Sequence, residues 1–202
     1  MRNELTIALA ANQAAFGIEL NAESVGRLAD YYQLLIDHNA LLHLVAPCPP
    51  EEFATRHILE SLTLLKHLPG HAKFVDVGSG GGLPAIPCLI VREDLKARLI
   101  ESKEKKAAFL RTAIENLGLT GRGDVVAKQF SETDAGDAEF VVCRALDKFP
   151  ERLPRLVKWS GKRGLLLFGG EQIGKLLAEF EVPADRELMP LSERRCLFIV
   201  KG

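Results

Sequence analysis

The feature that most constrains this chain is the stretch FVDVGSGGGLP, residues 74–84. A short apolar run, typical of a buried strand, leads directly into a segment that contains four glycines. Glycine allows positive φ angles and lets a ligand approach the backbone closely. The pattern therefore predicts a turn between a strand and a helix at which a ligand binds.

Strand-like and helix-like patterns alternate along the rest of the chain. This alternation predicts an α/β fold in which helices cover both faces of a mostly parallel sheet. Two final segments, RELMPL and RRCLFIVKG, predict a closing antiparallel pair and thus a sheet of seven strands in all. The other predicted strands are 73–77, 96–102, 124–130, 138–145 and 163–170, and the predicted helices are 83–92, 103–117, 150–159 and 171–180.

The residues before the first strand show helical spacing. A helix over 4–16 is expected to end at Gly17, and a second begins after Asn21, a residue that can cap it. Pro50 begins a third helix, where its missing N–H group has no partner to lose. We predict a helical extension over 1–70, packed on an α/β domain over 71–202.

Composition narrows the possible partners. The chain of 202 residues has a formal net charge of −1, so any binding to nucleic acid would need a local basic patch. The four cysteines form no CxxC pair and lack histidines at zinc spacing, which predicts reduced thiols and no metal site. No stretch matches a signal peptide or a membrane span. We expect a cytoplasmic protein that has no membrane contact, and we expect a monomer.

Two ligand classes use a glycine turn of this kind. The dinucleotide pattern GxGxxG, counted from Gly78, needs glycine where the chain has Leu83, and counted from Gly80 it meets Ala85, which is sometimes allowed. The acid-x-G-x-G-x-G pattern of S-adenosylmethionine-dependent methyltransferases is complete. Its residues, with the serine inside it, are the candidate cofactor contacts Asp76, Gly78, Ser79, Gly80 and Gly82.

An acid at the end of the second strand supports a nucleotide cofactor. Glu101 closes the run ARLIE, about 20 residues beyond the glycine turn, as in dinucleotide sites. A carboxylate can accept two hydrogen bonds from the hydroxyls of a ribose. This chemistry suits either cofactor, so NAD stays open on these residues alone.

Several further stretches are informative when their order and spacing are considered together. They are HLVAP (43–47), RHILESL (56–62), VDVGSGGGLPAIP (75–87), ESKEKKAAFL (101–110) and CRA (143–145). In this order and at this spacing, they resemble the ribosomal RNA small-subunit methyltransferase G family, also called glucose-inhibited division protein B. The resemblance implies a Rossmann-like class I methyltransferase fold that uses S-adenosylmethionine. It implies transfer of a methyl group to N7 of a guanine in the 530 loop of 16S rRNA in the small ribosomal subunit.

The resemblance also implies roles for individual residues. Arg144, in the CRA motif after the fourth strand, would lie at the pocket for cofactor and substrate. We predict that it is the catalytic residue, because it would orient the cofactor and the guanine together. The implied cofactor contacts are Gly78 and Leu83 at the turn, Glu101 at the ribose, and Ser131 and Glu132 beside the adenine.

Guanine N7 has a free lone pair and carries no proton, so the reaction needs no general base to expose the nucleophile. Alignment of the reacting groups can then supply much of the rate, up to roughly 7–11 kcal/mol in favourable cases. An arginine at the site would bind O6, a phosphate or the cofactor carboxylate, since binding N7 would block the reacting atom.

Basic residues could hold the RNA. We predict that Arg56, His57, Lys105 and Lys106 contact the substrate. Two basic series could form a phosphate-binding rim if both flank the pocket, although either could equally be a solvated helix face. The first is Lys103, Lys105, Lys106 and Arg111, and the second is Arg152, Arg155, Lys158, Lys162 and Arg163.

The chain departs from the family pattern at a few positions, and other functions stay open. Phe168 stands where the family often has a lysine, and Phe130 stands where an arginine is common. The alternatives are a methyltransferase that acts on a small molecule, a protein or another RNA, a non-catalytic RNA-binding protein, and an NAD-dependent oxidoreductase.

Overall fold

A computed structural model describes residues 1–144, 146 and 148–202. Ala145, the last residue of the CRA motif, lies outside the described residues. Within them, no helix is both long enough and apolar enough to cross a bilayer.

Seven strands form one mixed sheet. They are β1 (Lys73–Val77), β2 (Lys96–Ile100), β3 (Gly123–Val126), β4 (Phe140–Cys143), β5 (Gly164–Gly169), β6 (Asp185–Leu188) and β7 (Cys196–Val200). Their order is β3-β2-β1-β4-β5-β7-β6. Strands β1 to β5 are parallel to one another, and β7 runs antiparallel to both β5 and β6. The predicted parallel sheet with a closing antiparallel pair is confirmed.

Helices precede the sheet and connect its strands. Before β1, residues 50–66 form one continuous helical segment that changes its winding along its length. Its parts are α3 (Pro50–Glu52), a π-helix (Phe53–Leu59), α4 (Glu60–Leu62) and a 3₁₀ turn (Thr63–Lys66). The remaining helices are α1 (Arg2–Asn12) with a 3₁₀ turn (Gln13–Phe16), α2 (Ala22–Leu42), α5 (Ala85–Val91), α6 (Glu104–Asn116), α7 (Phe149–Ser160) and α8 (Glu171–Glu179).

The helix boundaries have local causes that the sequence shows. Gly17 adopts φ 64°, the left-handed conformation in which the first helical stretch ends. The side-chain oxygen of Asn21 accepts a hydrogen bond from Ser24 N at 2.7 Å and caps α2. Pro50 occupies the first turn of α3, as predicted.

The predicted third strand is too long at its end, since β3 stops at Val126 rather than at residue 130. The residues after it form a 3₁₀ turn, Phe130–Glu132, that local side-chain bonds stabilise. Gln129 N donates to the Glu132 carboxylate at 2.9 Å, and the Gln129 side chain accepts a backbone N–H in return. Such local bonds compete with continued strand pairing.

Two hydrophobic clusters fill the space on the two faces of the sheet. One cluster contains side chains of α7 and α8, such as Leu153 and Leu177. The other joins α5 and α6 to the helices before β1, so that Leu9, Leu28 and Ile86 belong to one core. The predicted domain boundary at residue 70 therefore remains a proposal, because residues before and after it share one hydrophobic core.

A buried hydroxyl ties α2 to the glycine turn. Tyr31 is fully buried, and its hydroxyl donates to the Gly81 carbonyl at 2.8 Å. Burial raises the pKa of this hydroxyl, so it stays protonated and able to donate at any ordinary pH. The helical extension thus holds the turn through a specific bond as well as through apolar packing.

We expect Tyr31→Phe to lower the free energy of unfolding by about 1–3 kcal/mol, because the Gly81 carbonyl would lose its donor in a buried site. The neighbouring Tyr32→Phe is the matched control, since Tyr32 has no hydroxyl bond among the described residues, and its change should stay within about 0.5 kcal/mol. Urea denaturation measures both. Equal losses in the two variants would show that the Tyr31 bond contributes nothing specific.

Candidate active site

The glycine turn lies at the point where the strand order reverses. On one side of β1 lie β2 and then β3, and on its other side lie β4 and the remaining strands. In open α/β sheets, ligands bind beyond the carboxyl ends of the strands at this point. Gly78, Gly80 and Gly82 have φ of 76°, 56° and 93°, which side chains rarely tolerate. Gly78 N also donates to the Ile100 carbonyl at 2.9 Å, which fixes the turn to the end of β2.

Glu101 directly follows β2 and reaches back to this turn. Only 7% of the residue is exposed. One carboxylate oxygen accepts from Gly80 N at 2.9 Å, and the other accepts from Lys103 N at 2.8 Å. Each oxygen keeps a second lone pair, so the carboxylate is held in place and can still accept bonds from a ribose diol.

Asp76 lies beneath the turn in a different environment. The residue is completely buried, and neither carboxyl oxygen has a hydrogen-bond partner among the described residues. Burial raises its pKa to about 8, and the Ser79 hydroxyl and Ala85 N–H nearby offset this only in part. The Ser79 hydroxyl itself donates to the Asp76 carbonyl at 2.9 Å. Asp76 is therefore mostly a neutral carboxylic acid at pH 7, and it leaves a buried polar group next to the turn.

Arg144 follows β4 and is held by the segment before β1. Its side chain is 15% exposed. The two terminal nitrogens contact the carbonyls of Arg56 and His57, the Ser61 hydroxyl at 2.9 Å and His57 Nδ1 at 3.1 Å. These contacts match the four N–H bonds of the two nitrogens. The carbonyls that accept belong to the π-helix, whose wider winding changes the ordinary i→i−4 pairing.

A buried glutamate completes this arrangement. Glu60 lies 3.9 Å from Arg144 and 2.6 Å from Arg195, which precedes β7. Burial raises the pKa of Glu60, and the bond from Arg195 lowers it in part. The ion pairs join the helical segment, the end of β4 and the turn between β6 and β7. Arg144 therefore belongs to a largely buried ion-pair network and is not a surface salt bridge.

His57 is neutral in this environment. Burial and the nearby charges of Arg144, Arg56 and Arg195 lower its pKa to about 3. Its Nδ1 lies opposite an N–H group of Arg144, so this nitrogen is the acceptor and carries no proton. An imidazole with so low a pKa is a weak base at pH 7.

These groups meet around a cavity of about 330 Å³ at the carboxyl edge of the sheet. Of the predicted residues, Gly78, Ser79, Gly80, Leu83, Glu101, Arg144, His57 and Lys106 line it. Asp76, near the end of β1, and Gly82, in the turn, are buried and are not part of its lining. Arg56, Lys105, Ser131 and Glu132 do not line it either, and the last two are exposed on the turn after β3.

The sequence pattern gave no role to part of the wall. Residues 44–46, in the stretch HLVAP, line the cavity together with Leu146. Asn39 shapes this loop, because its side chain accepts from Leu44 N at 2.8 Å and from Val45 N at 3.0 Å and donates to the Val45 carbonyl. Only the resemblance of HLVAP to the family pattern could have indicated it.

The two basic series meet at the cavity only in part. From the first, Lys103 and Lys106 line it, and from the second, only Arg152 does. Arg163 instead donates to the carbonyls of Ala138 and Gly136, at the opposite edge of the sheet. Helix α7 starts beside the site and runs away from it, so its later basic residues cannot reach the same edge.

A second cavity, of about 620 Å³, adjoins the first. The two share Arg144 and Leu146 in their walls. The second lies beyond the ends of β4 and β5 and reaches the turn between β6 and β7. The smaller cavity and its larger neighbour are thus separated by one arginine and one leucine.

The fold and the site define an S-adenosylmethionine-dependent methyltransferase of the Rossmann-like class. The glycine turn and the Glu101 carboxylate, which both line the cavity, fit a nucleoside cofactor. A methyltransferase from Aquifex aeolicus described as SAM-dependent superimposes with a TM-score of 0.58 at 14% identity, over 75% of this chain and 93% of that one. Mitomycin 7-O-methyltransferase MmcR gives a TM-score of 0.61 at 15% identity, over 99% of this chain and 67% of that one.

The sequence comparisons identify the family. The family model described as rRNA small subunit methyltransferase G matches residues 25–173. The ribosomal RNA small subunit methyltransferase G of Sorangium cellulosum is 37% identical over 82% of this chain and 72% of its own length. That of Neisseria meningitidis serogroup B is 33% identical over 92% and 97%, respectively. The chain belongs to the rRNA small subunit methyltransferase G family, and its cofactor is S-adenosylmethionine.

The buried acid gives a pH-dependent stability. An acid whose pKa is raised on folding contributes stability that is present below pH 3.8 and is lost as the pH rises through about 8. We expect the free energy of unfolding of the wild type to fall, relative to Asp76→Asn, by about 1.4 kcal/mol per pH unit between about pH 5 and 7.

Urea denaturation of the ligand-free proteins across this range measures the difference. Asp124→Asn, at an exposed aspartate, controls for the loss of one acidic group. If the wild type and Asp76→Asn gave parallel curves, Asp76 would be ionised in the folded protein.

Proposed function

We propose that this protein transfers a methyl group from S-adenosylmethionine to N7 of a guanine in the 530 loop of 16S rRNA. The family membership supports the methylation of small-subunit rRNA, and the site supports N7 as the acceptor. S-adenosylmethionine supplies the methyl group on a positively charged sulfonium. The protein must hold donor and acceptor in line and exclude water, since N7 needs no deprotonation.

The observation that supports the proposal is that the titratable groups around the cavity include cations but no strong base. Among the described residues that line it, His57 has a pKa of about 3, and both oxygens of Glu101 already accept backbone N–H bonds. The other charged groups are the cations Lys103, Lys106, Arg144 and Arg152. A site with cations and no strong base suits a nucleophile that carries no proton and belongs to a polyanion.

The proposed roles follow from position. Gly78, Gly80 and Leu83 form the surface for the cofactor, and Glu101 holds the ribose. Arg144 is the proposed catalytic residue, because it lies in the wall between the two cavities. Its terminal nitrogens bind the helical segment, which fixes the side chain, and the N–H group of its third nitrogen has no partner among the described residues. Ser131 and Glu132 at the adenine, and Arg56 and Lys105 at the RNA, remain predictions, as do the monomeric state and the cytoplasmic location.

The direct test maps N7-methylguanine in 16S rRNA from cells with and without the gene for this protein. Loss of one modified guanine in the 530 loop supports the proposal, and restoration by the purified protein completes the test. An unchanged 530 loop would contradict the target. RNA binding without any transfer would favour the non-catalytic alternative.

We expect Glu101→Gln to weaken binding of S-adenosylmethionine about 10- to 100-fold, because the amide offers a neutral acceptor in place of a charged one to the ribose. Calorimetry should show about one site per chain in the wild type. Glu115→Gln, at an exposed glutamate in α6, is the control and should bind normally. Equal affinities for wild type and Glu101→Gln would remove Glu101 from the ribose site.

We expect the double change of Lys105 and Lys106 to alanine to weaken RNA binding and to reduce the slope of log K against log salt by about one to two, as when one or two phosphate contacts are lost. Lys96 and Lys162, near the opposite edge of the sheet, provide a matched double variant that should leave the slope unchanged. Filter binding at several salt concentrations with saturating cofactor measures it. Identical slopes for both variants and the wild type would show that the α6 lysines form only a solvated face.

A further inference from the structure

The second cavity has the composition of a site for a single nucleobase. Its wall contains Phe149, Phe168, Ile173 and Leu176. Bases that leave a nucleic acid stack are held between aromatic or apolar side chains and are read by hydrogen bonds to their edges. The cavity also opens beside the cofactor site, across Arg144, so a base inside it would lie next to the methyl donor.

We propose that this cavity receives the target guanine and that Glu193 reads its Watson–Crick edge. The inference rests on the proposed function, because it takes guanine N7 as the acceptor. Guanine presents donors, N1–H and the 2-amino group, on one edge and N7 on the other. A carboxylate accepts both donors, which leaves N7 on the far side of the base.

The position of Glu193 follows from the strand order. β7 runs antiparallel to β5, and Cys196 is paired with Gly169 at the end of β5. The turn that precedes β7 therefore lies at the edge where the parallel strands end, and Glu193 and Arg194 in this turn line the second cavity. Glu193 is some 50 residues from Arg144 in the sequence, although both residues line the same cavity.

The turn is held in a fixed position. Arg195 donates to Glu60 at 2.6 Å, and the Ser192 hydroxyl accepts from Arg195 N at 3.0 Å and from Arg194 N at 3.3 Å. The same Glu60 carboxylate lies 3.9 Å from Arg144. One buried carboxylate thus fixes both the arginine at the cofactor side and the turn that carries Glu193. A reading group must be held in this way to discriminate between bases.

Glu193 is the better candidate of the two glutamates in this wall. Glu171 also lines the cavity, but it pairs with Lys175 at 3.0 Å. In the part of the chain that the structure describes, the Glu193 side chain has neither a hydrogen bond nor an ion pair. Its acceptors are therefore available to a ligand. Arg194 beside it is exposed and could contact a flanking phosphate.

A carboxylate at this position would also explain selectivity for guanine. Adenine has a lone pair at N1, which would face the carboxylate and leave both groups without a donor. A site built to bond a donor rejects the analogue that lacks it much more strongly than a pocket that selects by size. Inosine is the sharper probe, because it keeps N7, O6 and N1–H and lacks only the 2-amino group.

The test measures single-turnover methyl transfer to small-subunit particles that contain guanosine or inosine at the target nucleotide. The wild type should prefer guanosine by about tenfold or more, as expected for the loss of one bond to a charged group. In Glu193→Gln and Glu193→Ala, this preference should fall to less than about threefold, with cofactor affinity unchanged. Glu193 is exposed, so both variants should fold, and a thermal melt checks this.

Glu179→Gln is the matched control, since Glu179 is exposed in α8 and lines neither cavity. It should keep the wild-type preference. Equal rates on guanosine and inosine in the wild type, or an unchanged preference in both Glu193 variants, would overturn the inference while leaving the proposed function intact. A wild type that transfers no methyl group to the guanosine particle would instead overturn the proposed function.

Discussion

The structure depends on a guanidinium at the end of a central strand. The Arg144 side chain is only 15% exposed, so its charge has lost most of its water, and burial lowers its pKa. Two backbone carbonyls, a hydroxyl and an imidazole nitrogen replace that water, all from residues 56–61. Glu60 supplies the opposite charge, and Arg195 in turn balances Glu60. Removing one member of such a buried set leaves an uncompensated charge, which typically costs about 3–5 kcal/mol.

This arrangement gives the helical extension a part in the site. The π-helix presents the carbonyls of Arg56 and His57 to Arg144, and Tyr31 in α2 binds the Gly81 carbonyl of the turn. Without these segments, both the turn and the arginine would lose their supports. The same contacts explain why His57 is a structural acceptor with a low pKa rather than a catalytic base. Stability and geometry at the site therefore come from the same bonds.

The sequence predicted those parts of the site that depend on local pattern. The glycine turn, the strand before it and Glu101 lie within some 30 residues, and each has a local reason for its position. The partners of Arg144 lie more than 80 positions away, and only the folded chain brings them together. Glu193 carries no local signal either, since an isolated glutamate in a turn resembles any solvated residue. The spacing of apolar residues could not reveal the π-helix, because a short π-helical stretch leaves the apolar residues of a helix on one face.

The departure at Phe168 is consistent with the charges around it. The resemblance implied a lysine at this position, at the end of β5. In this chain the Phe168 ring lies 5.8 Å from the Arg144 guanidinium carbon, a distance at which an aromatic face attracts a cation. A lysine there would bring a second positive charge against a guanidinium that is already poorly solvated. Arg194 also lines this cavity, so the edge that faces the proposed RNA has a cation even though Phe168 replaces the lysine. An aromatic ring in the wall and a cation at the rim suit a flat base and its phosphate, respectively.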